Sequence, residues 1–263
     1  MTENRVGKVI CIANQKGGVG KTTTAVNLAA SLALSSKATM LIDIDPQGNA
    51  SSGVGIAKDG IEKNIYHVII DDTEFLQVIR ETAFANLSIV TSSIDLIGAE
   101  IELVNFPDRE SRLKEKLSKI INKYDYIIID CPPSLGLLTV NAFNASDSVL
   151  IPIQCEYYAL EGLTQLLNTV KRIKRAFNPN LRIEGFLLTM FDKRNNLSHQ
   201  VACEIKNFFP EKVLQTIIPR NVRLGECPSY GKPIFYYDKL SAGARSYLEL
   251  AQLITNGESQ TNG

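Results

Sequence analysis

The sequence predicts an α/β protein: a single doubly wound, mostly parallel sheet with helices on both faces. Three observations carry this. Short apolar runs alternate with helical patterns from about residue 8 to 254, the signature of strand–helix–strand units. A glycine-rich stretch, "NQKGGVGKTTT" at 14–24, stands between a strand-like run and a helix-like one. Two apolar runs end in acids, Asp45 and Asp130. In such sheets ligands gather at the carboxyl ends of the strands, so the loop and both acids are expected to converge.

The elements follow in order. "KVICIA" (8–13) is β-branched and apolar, suited to a buried strand. "TTTAVNLAASLALSS" repeats small and apolar residues at helical spacing. "ATMLIDIDPQGN" (38–49) is a strand entering a Pro-Gln-Gly-Asn turn, and 51–60 reads as a polar loop. "TEFLQVIRET" (73–82) reads as a helix, "LSIVTSS" (87–93) as a short strand and 108–124 as a charged amphipathic helix. "YDYIIIDCPPS" (124–134) is the most apolar strand, stopped by two prolines. Residues 147–154 form a strand, 160–178 a helix with a basic end, 182–191 and 212–219 two strands, and 243–254 the last helix. No repeat or linker interrupts the series, so we expect one domain over 1–255 and a disordered polar tail over 256–263.

Bulk properties exclude several functions. The 263-residue chain carries 28 basic and 28 acidic residues, so only a local basic patch could hold a polyanion. No run approaches the ~20 apolar residues of a membrane span, and the first residues lack a signal peptide's apolar core. The expectation is a soluble cytoplasmic protein without a membrane partner. Five scattered cysteines, with no C-x-x-C, argue against a disulfide framework.

The usual phosphate-loop pattern is G-x-x-x-x-G-K-[ST]. Gly20, Lys21 and Thr22 fit its end, but Gln15 replaces its first glycine and an extra lysine, Lys16, sits at the entrance. Gly17, Gly18 and Gly20 let backbone N–H groups turn inward around phosphate oxygens. Lys21 can reach the phosphates, and the Thr22 hydroxyl can ligate Mg2+. Asp43 and Asp45 flank Ile44 and point the same way on an extended strand. Asp45 could orient an attacking water or bind Mg2+ through water; Asp43 is balanced between function and simple strand-end hydrogen bonding. Asp130 has the form of a Walker-B carboxylate holding the Mg2+ shell, again through water. A second cation at Lys16 is useful where extra negative charge must be offset, and such help often comes from another subunit. The competing reading of Lys16 is a solvated surface lysine.

"NQKGGVGKTTT" matches the deviant Walker A motif, x-K-G-G-x-x-K-[ST], and the chain resembles the ParA/MinD ATPases. "LIDIDPQGNAS", "YDYIIIDCPPSLGLLTVNAF", "IPIQCEYYALEGL" and "IPRNVRLGECPSYGKPI" are similar to its ParA (Soj-type) branch over roughly residues 7 to 254. The resemblance implies a P-loop NTPase fold and Mg-dependent ATP hydrolysis by a nucleotide-dependent homodimer that sandwiches two ATP molecules. It casts Lys16 as the signature lysine that contacts the partner's nucleotide. Lys21 becomes the phosphate lysine, Thr22 the Mg2+ ligand, Asp45 the residue positioning the hydrolytic water and Asp130 the Walker-B acid. Lys16, Gly17, Gly18, Val19, Gly20, Lys21, Thr22 and Thr23 then line the nucleotide, with Pro219 and Asn221 at adenine. It further implies non-specific binding of double-stranded DNA through Arg194 and Arg223, a ParB-like centromere-binding partner that triggers hydrolysis, and a nucleoid-associated location. "KRIKR" (171–175) either joins that basic patch or caps its own helix. About a dozen residues precede the loop, too few for a helix-turn-helix module, so operator-specific autoregulation is not expected.

Four alternatives share the fold. A MinD-like protein, membrane-bound and positioning the division site, needs a basic amphipathic C-terminal helix, and "LAQLITNGESQTNG" has no basic residue. A protein-cluster-positioning ATPase would differ only in its cargo. An iron–sulfur reductase needs two cysteines at a dimer axis, for which only Cys131 and Cys155 come into question. An ATP-dependent amidotransferase or synthetase needs a small-molecule pocket that no motif declares. Cys227 stands where a smaller residue is expected in this family, and the sequence offers no functional account of it.

Overall fold

The computed structural model describes residues 7–57, 60–156 and 159–259. Eight strands form one sheet: β1 (Lys8–Ile12), β2 (Thr39–Asp43), β3 (Ile79–Glu81), β4 (Leu87–Val90), β5 (Tyr126–Asp130), β6 (Ser148–Gln154), β7 (Arg182–Phe191) and β8 (Val213–Pro219). Their spatial order is β3-β4-β2-β5-β1-β6-β7-β8, and every adjacent pair is parallel except β3 with β4. The helices are α1 (Lys21–Leu34), α2 (Asn49–Gly53), α3 (Ile65–Ile69), α4 (Leu96–Glu102), α5 (Arg112–Ser118), α6 (Leu137–Ala145), α7 (Ala159–Ala176), α8 (Asn196–Phe208), α9 (Val222–Glu226), α10 (Ile234–Tyr237) and α11 (Ala242–Ser259).

Strand alternation divides the core into two layers. Val9 and Cys11 of β1, Met40 and Ile42 of β2, and Ile127 and Ile129 of β5 pack with α3 to α8 on one face. Ile10, Ile12, Leu41, Tyr126 and Ile128 point the other way, onto α1 and α11. Both faces of the central strands are covered, which is why these strands are apolar throughout rather than alternating. β1 leads through α1 to β2 on one side, whereas β5 leads through α6 to β6 on the other. The loops after β1 and β5 therefore part around a crevice at the carboxyl edge.

Four local expectations change. Residues 73–82 are not a helix: Phe75–Gln77 make one 3-10 turn, and Ile79–Glu81 form β3, pairing antiparallel with β4. Phe75, Val78 and Ile79 mimic helical spacing, but the open edge of β4 supplies hydrogen bonds that an isolated turn lacks. Helix 108–124 shortens to α5 plus a 3-10 turn at Ile121–Lys123. Arg112 is drawn out of a solvated face to donate to the Ile69 and Ile70 carbonyls, capping the end of α3. The polar loop at 51–60 begins within α2. The last helix runs on to Ser259, through the first residues of the expected tail, while 260–263 lie outside the described residues. Among the described residues no helix is long and apolar enough to cross a membrane.

Candidate nucleotide-binding site

The glycine-rich loop leaves β1 and turns into α1. Gly18 and Gly20 adopt φ of +74° and +87°, a left-handed region that a side chain would strain. Gly20 is the N-cap of α1, and no side chain caps that end. The first N–H groups of a 14-residue helix therefore face the loop, a ready-made anion cradle. Distant residues lock the loop in place. Asn14 donates to the Pro152 carbonyl at 2.7 Å and accepts from the Lys16 N–H at 3.0 Å. Thr189 at the end of β7 donates to the Val19 carbonyl at 2.8 Å. The Lys21 ammonium donates to the Lys16 carbonyl at 2.9 Å, closing the loop on itself. Gln15, in place of the usual glycine, holds its side-chain oxygen buried without a hydrogen-bond partner.

Three acids stand behind the loop. β2 and β5 are paired so that Asp43 lies beside Asp130. Asp43 is fully buried and accepts from the Ser51 N–H and hydroxyl, each at 2.8 Å, and from the Asp45 N–H at 3.3 Å. Burial raises its pKa from 3.8 to about 6, although those hydrogen bonds oppose the rise. Asp130 is also fully buried, and neither of its carboxylate oxygens has a hydrogen-bond partner. Burial, then the charge of Asp43, pushes its pKa well above the usual range; Thr22 and Lys21 act in the opposite direction. Burial also lowers the Lys21 pKa, against the pull of Asp130 and Asp45. Asp45 is 7% exposed, and its carboxylate accepts only from the Gln47 N–H, at 2.9 Å, among the described hydrogen bonds.

An orphaned buried carboxylate beside a threonine hydroxyl and a phosphate cradle is what a hydrated Mg2+ requires. Among the described residues no cluster of three or more His, Cys, Asp or Glu side chains could cage a metal by itself. Mg2+ normally keeps several waters and takes few protein ligands, so the residues fit it. The sign of the pKa shifts yields a test. Both acids favour their neutral forms, so their contribution to stability is complete below pH 3.8 and is lost as pH rises through about 6 and beyond. Asp130→Asn is expected to raise the nucleotide-free Tm at pH 7, by an amount of order 1 kcal/mol or a few degrees. The same variant should lose the stabilisation that Mg-ATP confers, and calorimetry with and without Mg-ATP reads both effects.

A cavity of about 310 Å³ opens beside the loop, lined among others by Gly20, Thr23, Met190, Pro219, Asn221 and Tyr247. The fold thus brings the IPRN segment to the glycine loop, some 200 positions away in sequence. Thr189, Met190 and Tyr247 carried no motif that could have marked them. Met190 has one unusual feature, φ of +48°, invisible in the sequence.

The remaining residues are placed as follows. Lys16 does not enter the phosphate cradle of its own chain; its ammonium pairs with Glu156 at 2.6 Å near solvent. Arg194 and Arg223 follow the carboxyl ends of β7 and β8, on the cavity side of the sheet. Each meets local acids: Arg194 is bidentate to Asp192, at 3.1 and 3.0 Å, and Arg223 contacts Glu226 at 2.8 Å and Asp238 at 3.6 Å. Residues 171–175 end α7, which returns from the carboxyl edge of β6 to the amino edge of β7. KRIKR is therefore remote from both arginines, and its cations complement the end of their own helix. Cys131 and Cys155 are buried, and burial raises the pKa of both thiols. Cys227 packs against the α1–α11 side of the core.

Residues 7–183 match a family model described as AAA domain. The chromosome partitioning protein ParA of Myxococcus xanthus is 57% identical over 247 residues, covering 94% of this chain and 87% of that protein. The sporulation initiation inhibitor protein Soj of Bacillus subtilis is 58% identical over 253 residues, covering 96% of this chain and 100% of that protein. Among solved structures, cobyrinic acid a,c-diamide synthase from Mycobacterium smegmatis, with bound ADP and magnesium, superposes with a TM-score of 0.85 at 34% identity, covering 97% of this chain and 96% of that one. Both the deviant glycine loop and the near full-length match to ParA and Soj lead to one conclusion: the chain belongs to the ParA/Soj family of chromosome-partitioning ATPases.

Proposed function

We propose that the protein binds Mg-ATP, dimerises face to face on it, coats DNA without sequence preference, and leaves the DNA when a ParB-like partner triggers hydrolysis. The observation that carries the nucleotide half is the convergence of an uncapped helix N-terminus, the orphaned Asp130 carboxylate and the cavity at Pro219 and Asn221. Mg2+, when bound, would offset the negative charge that develops in phosphoryl transfer. Thr22 and Asp130 would hold its shell, Asp130 through water. The loop N–H groups and Lys21 bind and orient the phosphates. Asp45 positions the attacking water, and Lys16 of a second copy offsets charge from across the interface. The DNA half rests on Arg194 and Arg223 lying on the same edge. In a chain of zero net charge, dimerisation is what doubles this patch and sets both halves on one duplex.

Binding of unrelated duplexes to Asp45→Ala with ATP, with ADP and without nucleotide, at several salt concentrations, tests this. ATP-dependent, sequence-indifferent, salt-sensitive binding supports the proposal. Absence of binding in every state redirects it to protein positioning or metabolism. Because the Mycobacterium smegmatis synthase is 34% identical, small carboxylic acids belong in the same assay; stimulation of ATP turnover by an acid and not by DNA would favour a synthetase. Arg223→Ala is expected to dimerise and hydrolyse ATP while its DNA affinity falls. Its salt slope should shrink by about two, roughly one unit per lost phosphate contact in each of two subunits. A slope equal to the parent's would place the DNA face elsewhere.

A further inference from the structure

The acid two residues past the end of β2 does not stand alone. Asp45 is gripped through its peptide group by a closed hydrogen-bonded circuit that spans three elements. Its N–H donates to Asp43 Oδ1 at 3.3 Å. Asp43 Oδ2 accepts from Ser51 on α2, through both its N–H and its hydroxyl, at 2.8 Å each. Ser51 Oγ in turn accepts from the Ser92 N–H at 3.4 Å. The Ser92 hydroxyl then donates to the Asp45 carbonyl and closes the ring. All four residues are buried, with exposures of 0% for Asp43, 1% for Ser51, 5% for Ser92 and 7% for Asp45.

Each bond in this circuit acts on the backbone of Asp45 or on a neighbour that does, and none engages its carboxylate. The carboxylate accepts only from Gln47 within its own turn, among the described hydrogen bonds. Its direction is therefore set by how the peptide is held. β2 alone cannot hold it, because the strand ends at Asp43. The Asp45 carbonyl also accepts from the Gly48 N–H of its own turn, at 2.8 Å. The anchor from outside the β2–α2 segment comes from the loop after β4, where Ser92 follows Val90 and Thr91. Ser92 also shares with Pro46, Gln47 and Gly48 the wall of a cavity of about 350 Å³, so the Asp45 turn has open space on one side and needs a tether on the other. We propose that Ser92, with Ser51 behind it, is a positioning residue for ATP hydrolysis: its hydroxyl sets the aim of Asp45. This rests on the assignment of Asp45 to the hydrolytic water. It also resolves Asp43, whose carboxylate is taken up by three backbone and hydroxyl donors and so serves this circuit rather than the substrate.

The test is steady-state ATP hydrolysis by the full chain carrying Ser92→Ala, Ser92→Thr and Ser51→Ala, with Asp45→Ala alongside. Small misplacement of a catalytic group costs up to about 10²-fold, so Ser92→Ala is expected to lower kcat roughly tenfold or more with KM for ATP and ATP affinity near the parent's. Ser92→Thr keeps the hydroxyl and should recover most of the rate. Ser51→Ala should fall in the same direction, and stands in if Ser92→Ala does not fold. A parental kcat in Ser92→Ala overturns the proposal, as does a loss that Ser92→Thr does not repair. A matched loss of ATP affinity would also overturn it, by making the effect one of general loop structure. If Asp45→Ala itself hydrolyses ATP at the parental rate, the Asp45 assignment fails first. If Asp45→Ala is slow and Ser92→Ala is not, only the circuit fails.

Discussion

Lys16→Ala is expected to bind ATP nearly as the parent does and to hydrolyse it slower by about 10³-fold, the lower range for losing a cation supplied across an interface in phosphoryl transfer. The structure separates this effect from general damage. In the isolated chain the Lys16 ammonium contacts Glu156 near solvent, at 2.6 Å. A solvent-accessible pair of this kind contributes about 0–1 kcal/mol, so the fold should survive its removal. The loop does not depend on this side chain either. What Lys21 and Asn14 hold is the backbone of residue 16, its carbonyl and its N–H, and alanine retains both. Lys21, proposed as the phosphate cation, is unchanged in this variant. The measurements are fluorescent-nucleotide binding, phosphate release and sedimentation with ATP. Unchanged turnover would remove the cross-interface role and leave Lys16 as the surface lysine of the competing reading.

Asp45→Ala is the second large effect, expected to bind ATP, to stall before hydrolysis and to accumulate as dimer. Its turnover should fall by about 10²-fold or more, the range in which a positioned base or water-orienting group acts. The Asp45 carboxylate accepts from Gln47 N–H, so its removal loosens one turn and leaves the core untouched. The peptide anchors from Asp43, Ser92 and Gly48 belong to the backbone and persist in alanine. A variant that hydrolyses at the parental rate would take Asp45 out of the mechanism. A stalled, dimeric variant becomes the tool for DNA binding, because it holds one nucleotide state during the measurement.

Much of this was legible in the sequence, and the particular residues show why. The glycine loop, Lys21 and Thr22 are contiguous, and their geometry depends on backbone freedom at Gly18 and Gly20 and on the helix that follows. The strand runs ending at Asp43 and Asp130 announce themselves by composition, since strands covered on both faces must be apolar throughout. What resisted reading has equally specific causes. α6 is buried on most sides, so "LLTVNAFNA" lacks the polar stripe that marks a surface helix, and it was not identified. Residues 79–81 carry no strong strand signal; they become β3 only because β4 leaves an edge to pair. Spacing puts Asp43 on the same side of the strand as Asp45, so the sequence leaves Asp43 balanced between function and strand-end hydrogen bonding. It is distinguished only by where Ser51 sits.

By itself, then, the sequence determined the alternating fold, the phosphate loop and the acids that close its strands, all set by local conformation and burial pattern. The tertiary structure alone decided which distant groups meet them. Thr189 reaches Val19 across 170 positions, Thr24 meets Tyr247 across 223, and Ser92 anchors Asp45 across 47. Such contacts join segments whose own propensities are indifferent to the partner. They form because packing two helical layers onto one sheet leaves buried hydroxyls and carbonyls that must find each other or go unpaired.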